Sequence, residues 1–190
     1  GGLPTGCIHE VKGTSLASAI TFSAILSARI AGDHGHILYI APDRSLHPVG
    51  LLPFGVKLDR LLYVSVRPQH LAWAMMEALR CVEANAVMTV LDGVDLTASR
   101  RLQMAAENSG ATGFFLGQAS SAPIASPITR WKISARGKSS HRFDEPVWLL
   151  DLLYCRGGRP GNWTLEWRNR NLHAVAAQQA EGATIEALAG

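Results

Sequence analysis

The chain has 190 residues, 47% apolar and 17% charged, with a formal net charge of +3. That is enough apolar matter for a sizeable core and one domain, and it excludes global disorder. No run approaches the roughly 20 apolar residues of a membrane span, and no basic stretch followed by an apolar run marks a leader peptide, so neither a membrane protein nor a secreted one is expected.

In chain order, Cys7–Val11 reads as a short strand. Thr14 or Ser15 can cap the following helix, which runs to about Ile30, because either hydroxyl accepts from the first free backbone N–H groups. Gly32-Asp33-His34-Gly35 closes that helix, and His36–Ala41 is an apolar run of buried-strand type. Pro42-Asp43-Arg44 leads into a short irregular helix holding Pro48 and Pro53. Leu61–Val66 is a strand, and Pro68 suits the first turn of a helix in which Leu71, Met75, Leu79 and Val82 recur at helical spacing. Ala86–Leu91 is a strand ending at Asp92. Leu96–Asn108 is a helix closed by Gly110, and Thr112–Leu116 is a strand ending near Gln118.

Strand and helix thus alternate five times with short connections, which predicts an α/β fold: a mostly parallel twisted sheet with helices on both faces. After residue 118 the pattern changes. A Ser/Ala/Pro linker, Ser120–Pro127, is followed by alternating β-rich runs at Thr129–Ala135, Val147–Tyr154, Trp163–Trp167 and Leu172–Val175, predicting an antiparallel extension. Residues 1–175 are expected to form the domain, and 176–190 a tail that is helical or frayed.

The charge is unevenly distributed. Residues 1–126 hold nine Lys/Arg and nine Asp/Glu, whereas residues 127–173 hold nine Lys/Arg and four acids. Arg130, Lys132, Arg136 and Arg142 are candidates for weak, sequence-independent DNA binding, and a solvated sheet face is the alternative. The three cysteines, Cys7, Cys81 and Cys155, have no metal spacing and read as reduced, mostly buried thiols of a cytoplasmic protein. Asp33-His34-Gly35-His36 is a metal-like fragment with no further ligand in view and is better read as a turn. Ser18 and Ser121 lack a nucleophile context.

The segment from Gly2 to Ser15 has the layout of a phosphate-binding loop: a strand, a glycine turn and a helix start. A working loop reads G-x-x-x-x-G-K-[ST], with backbone N–H groups around the phosphates and a lysine on the outer ones. Gly13 is followed here by Thr14-Ser15-Leu16-Ala17-Ser18-Ala19, with no second glycine and no lysine, and Lys12 precedes the turn. Ordinary helix capping by Thr14 or Ser15 is the alternative use of that turn.

Gly1–Gly6 with Ile8 and Glu10, Ile40–Pro48, Gly55–Leu62, Val90–Val94 and Phe114–Gln118 together resemble the ATPase core of the RecA recombinase family over about two thirds of the chain. Gly6–Val11, Leu96–Leu102 with Ala105-Ala106-Glu107, and Thr129-Arg130-Trp131 followed by basic β-structure and Gly161-Asn162-Trp163 are more closely similar to the ImuA family, accessory proteins of SOS mutagenesis with a RecA-like core. By that resemblance Asp92 stands at the metal-acid position, Asp43 in the stretch of the catalytic carboxylate, and Gln118 at the sensing glutamine. Gly13, Thr14, Ser15, Asp43, Asp92 and Gln118 then form a degenerate nucleotide site, with strand-end polarity as the alternative reading of the three accessory positions. Without the glycine and lysine of a working loop, these accessory positions are not expected to hydrolyse ATP, so no catalytic residue, cofactor or metal is expected. It implies a role in translesion synthesis through protein contacts with ImuB, an inactive Y-family-like polymerase, with an error-prone replicative-type polymerase, and with RecA as a further candidate. Self-association stays open. Arg100, Arg101, Trp163 and Trp167 are the candidate partner-binding residues, although at least two of Trp131, Trp148, Trp163 and Trp167 are expected in the core. Residues 119–130 stand where a recombinase carries a DNA-binding loop, but the stretch is short and Ser/Ala/Pro-rich. A SulA-like inhibitor that binds FtsZ and a weak ATPase are the rival readings.

Overall fold

A computed structural model describes residues 2–43, 46–136 and 146–176. Its centre is a nine-stranded mixed sheet. The strands are β1 (Ile8–Gly13), β2 (His36–Ala41), β3 (Leu61–Ser65), β4 (Ala84–Val90), β5 (Thr112–Gln118), β6 (Thr129–Arg136), β7 (Val147–Cys155), β8 (Gly161–Arg168) and β9 (Asn171–Ala176). They lie in the order β3-β2-β4-β5-β1-β6-β7-β8-β9. Pairing is parallel from β3 through β6 and antiparallel from β6 through β9. The α/β class and the antiparallel extension are as predicted, and the order is consistent with a RecA-like core.

Three helices cover the parallel half: α1 (Leu16–Ala31), α2 (Leu71–Arg80) and α3 (Leu96–Ser109). Apolar residues on both faces of each central strand dictate this layering, because a sheet with two apolar faces must be covered on both. Phe114 packs on the α1 side and Phe115 on the α2/α3 side, and Met88 and Val87 divide in the same way. Ser15 caps α1, its hydroxyl accepting from Ser18 N–H at 3.2 Å, and Asp95 caps α3, its carboxylate accepting from Ala98 N–H at 2.8 Å. Gly110 closes α3 in the left-handed conformation at φ 82°, which favours glycine.

Two expectations are corrected. The helix carrying Leu71, Met75 and Leu79 stops at Arg80: Cys81 turns extended at φ −75°, ψ 118°, and Val82 is left 80% exposed. Of the three cysteines only Cys7 is buried; Cys81 is exposed and Cys155 half-buried, and all three are free thiols. Other element boundaries shift by a residue or two, where fraying makes any assignment soft. The expected tail beyond residue 176 lies outside the described residues.

The antiparallel extension is held on the α1 side by an aromatic cluster. Phe22 meets Trp131 and Trp148 at 6.3 and 6.5 Å between ring centroids. Phe54, at the end of a 3-10 turn (Pro48–Phe54), meets Trp148 and Trp167 at 6.3 and 5.9 Å. Trp131, Trp148 and Trp167 are buried, as the sequence reading preferred for at least two of the four. Trp167 therefore offers no face to a partner: it is 4% exposed and its indole N–H donates to the Pro53 carbonyl at 3.1 Å. Trp163 is half-buried against Trp131, at 5.8 Å. Replacing Trp167 by alanine should lower stability by about 3–5 kcal/mol, as for other large-to-small core changes. Chemical denaturation checks this, and a loss below about 1 kcal/mol would remove Trp167 from the core.

Candidate functional site

In open α/β sheets ligands sit beyond the carboxyl ends of the parallel strands. Gly13, Asp43, Asp92 and Gln118 follow or end β1, β2, β4 and β5, so the fold brings all four to one edge. What occupies that edge is the chain itself. Two strands paired parallel to a common neighbour need a crossover connection, and this is usually a helix. Between β5 and β6, which flank β1, the crossover is the irregular stretch 119–128. It has no helix to satisfy its backbone, so its N–H and C=O groups need partners from elsewhere.

Those partners are the residues at the sheet edge. Asp92 Oδ1 accepts from Ala122 N–H at 2.6 Å. Lys12 Nζ donates to the Ser121 carbonyl. Ser121 Oγ accepts from Gln118 N–H at 3.0 Å, and Ala119 N–H donates to the Gly13 carbonyl at 2.9 Å. Ile124 is held through both of its backbone polar groups. Its N–H donates to Glu10 Oε1 at 2.9 Å, and its carbonyl accepts from the Arg130 guanidinium at 2.7 Å. Arg130 Nε in turn donates to Glu10 Oε2, and Lys12 lies 3.7 Å from Glu10 Oε1. Glu10 is only 1% exposed, so this three-cornered pairing is what permits a carboxylate in the core.

The turn after β1 is engaged as well. Only Thr14 and Ser15 separate β1 from α1. Thr14 N–H donates to the Ile133 carbonyl at 2.9 Å, and Ser15 supplies the cap. A Cβ on Gly13 would stand 2.1 Å from the Ser15 carbonyl oxygen, so only glycine allows the helix to start this close to the strand.

The predicted DNA-facing residues divide. Arg130 belongs to the Glu10 pairing; its side chain is 29% exposed and both described contacts are internal, so it is not part of a solvent-facing stripe. Lys132 is half-buried opposite Asp151, and Arg136 is exposed at the end of β6. Arg142 lies outside the described residues. Arg100 and Arg101 are both exposed on α3 and form no ion pair among the described residues. Asp43 and Gln118 are exposed.

Sequence reasoning passed over Glu10 and His9. The available signal for Glu10 was a lone carboxylate alternating with Ile8 inside a buried parallel strand. His9 lies on the opposite face of β1, fully buried. Trp131 Nε1–H donates to Thr129 Oγ1 at 2.8 Å, Thr129 Oγ1 lies 2.7 Å from His9 Nδ1, and His9 Nε2 lies 2.9 Å from the Pro4 carbonyl. The chain of bonds is satisfied by the tautomer with the proton on Nε2, donating to Pro4, and with Nδ1 accepting from Thr129. Cys7 Sγ is 3.4 Å from His9 Nε2, a distance that suggests a nucleophilic pair. The geometry argues against it: Nε2 carries the proton and donates to Pro4, and the Cys7 thiol donates to the same carbonyl at 3.4 Å. Burial, with a smaller contribution from Glu107, raises the Cys7 thiol to about 11, and burial lowers His9 to about 4, so both stay neutral near pH 7. The pair instead anchors the segment before β1.

No family model matches the chain. It is 32% identical over 187 residues to "Protein ImuA" of Caulobacter vibrioides strain NA1000 / CB15N, and to "Protein ImuA" of strain ATCC 19089 at the same identity. Each comparison covers 87% of this chain and 77% of the relative.

Because the folded state lowers the pKa of His9 and the unfolded state does not, proton uptake favours unfolding. The stabilisation is complete above the ordinary value of 6.5, falls as pH drops from 6.5, and is lost near 4, a contribution of about 3 kcal/mol at roughly 1.4 kcal/mol per pH unit. Denaturation at a series of pH values should show this slope and His9→Gln should flatten it; a ring seen by NMR to titrate near 6.5 would overturn the assignment.

Proposed function

The chain belongs to the ImuA family, and from that premise we propose that it is a non-catalytic accessory protein of damage-induced mutagenesis and translesion synthesis. It acts by binding proteins: ImuB, an error-prone replicative-type polymerase, and RecA as a further partner. The observation that carries the reading is the crossover 119–128. It engages Asp92, Lys12 and the Gly13 carbonyl at the edge where a nucleotide would lie. Thr14 N–H is paired to β6 and Ser18 N–H to Ser15, so two donors that could face a phosphate are already bonded.

Lys12 is the lysine nearest the turn, and its ammonium is turned to Ser121 and Glu10. A phosphate would have to displace these bonds to gain its charge. Calorimetry should therefore find no micromolar ATP binding, and turnover that disappears in Asp92→Ala would make the protein an enzyme after all.

Function then runs through surfaces. Arg100 and Arg101 on α3 support a protein interface, since arginine beside apolar groups is enriched there. DNA contact has less support: Arg130 is engaged internally and Lys132 faces Asp151. The free thiols, one of them exposed, suit the reducing cytoplasm. No described helix is long and apolar enough to cross a membrane.

Pull-down of purified ImuB and FtsZ separates this reading from a cell-division inhibitor. ImuB should be retained and FtsZ not. Arg100→Glu combined with Arg101→Glu should weaken the ImuB complex by more than about 2 kcal/mol if the pair is a hot spot, with the fold intact. Retention of FtsZ alone would replace the proposal.

A further inference from the structure

Among the described residues the two most exposed large apolar side chains are Val82, at 80%, and Met104, at 60%. They line the same groove. It runs between the carboxyl-terminal turns of α2 and α3, has a volume of about 300 Å³, and is walled by Arg80, Arg101, Ala105 and Asn108 besides Val82 and Met104. Val82, which continues the spacing of Leu71, Met75 and Leu79, lies just past the end of α2 and on the groove wall. Among the described residues no carboxylate lines it. Arg80 is paired with Glu77 at 3.1 Å, whereas Arg101 has no ion-pair partner among the described residues. The helix ends contribute only about half a negative charge each, less than the guanidinium charge they face.

We propose that this groove docks an acidic amphipathic segment of a protein partner, one apolar side chain seating on Val82 and Met104 and a neighbouring carboxylate pairing with Arg101. The chemistry selects that occupant. Two exposed apolar side chains at the centre give a nucleic acid backbone nothing to bond, but they suit an aliphatic or aromatic anchor. The free guanidinium beside them has the fork geometry that accepts a carboxylate through two parallel bonds. From Arg101 to Asn108 the α3 wall is about 10 Å long at ~1.5 Å per residue, which matches two helical turns of the bound segment. The inference rests on the reading of this protein as an interaction module and names the surface and the charge of what it binds.

The test uses a short fluorescein-labelled peptide with leucines at helical spacing and glutamates elsewhere, its twin with lysine for every glutamate, and the whole protein. Anisotropy should show saturable binding of the glutamate peptide and none of the lysine twin. Arg101→Glu and Met104→Asp should each weaken binding by roughly tenfold or more, the scale of a lost hot-spot contact. Both side chains are exposed, so circular dichroism and melting should be unchanged; the two variants act at different atoms, and either one that folds reports on the groove. Failure of the glutamate peptide to bind up to millimolar concentration, equal binding of the twin, or equal binding by the variants would overturn the proposal. Peptide binding that survives while ImuB is not retained would leave the groove standing and remove the functional reading above.

Discussion

A single buried carboxylate organises the sheet edge beyond the carboxyl ends of the parallel strands. Glu10 sits in the middle of β1 with apolar neighbours on its own face and is almost wholly removed from water. Leaving such a group unpaired would cost several kcal/mol, so its position is tenable only because Arg130, Ile124 N–H and Lys12 converge on it. Those partners come from three places: the strand next door, the crossover, and the same strand two residues on. The charge cluster thus joins β1, β6 and the stretch between β5 and β6 into one unit. A residue without an acceptor at position 10 would leave the Ile124 N–H unpaired and Arg130 with only the Ile124 carbonyl as a described partner.

The same constraint explains the contacts at the strand ends. A crossover without a helix must borrow partners for its backbone, and the nearest polar groups are those at the strand ends. Asp92 and Lys12 are therefore structural here, as acceptor and donor for Ala122 and Ser121. The Gly13 turn is short for a related reason. The helix starts close against the strand, and Thr14 N–H is paired to Ile133.

On the other face of β1, His9 does for the preceding segment what Glu10 does for the crossover. The bonds from Trp131 through Thr129 to His9 and Pro4 tie that segment to β6 and to the aromatic cluster under the antiparallel strands. Both devices use the alternation of a strand: consecutive residues 9 and 10 point to opposite faces and each carries one polar tether. The two helices on the Glu10 side leave between them the groove lined by Val82 and Met104.

The alternation of strands and helices, a cap at Thr14 or Ser15, the closing Gly110 and the antiparallel runs after residue 128 were legible in the sequence, because each depends on neighbours within a few residues, and the family likeness was legible from short strings spread along the chain. The missing lysine after Gly13 was equally visible. What the sequence left open was which polar residue meets which. Glu10 and Arg130 are 120 positions apart and become neighbours only because β1 and β6 pair directly, an order that no local periodicity encodes. For the same reason Arg130 looked like a surface cation and Trp167 like a docking residue. Residue type sets what a side chain can do, but strand order and packing decide whether it meets solvent, a carboxylate or the core.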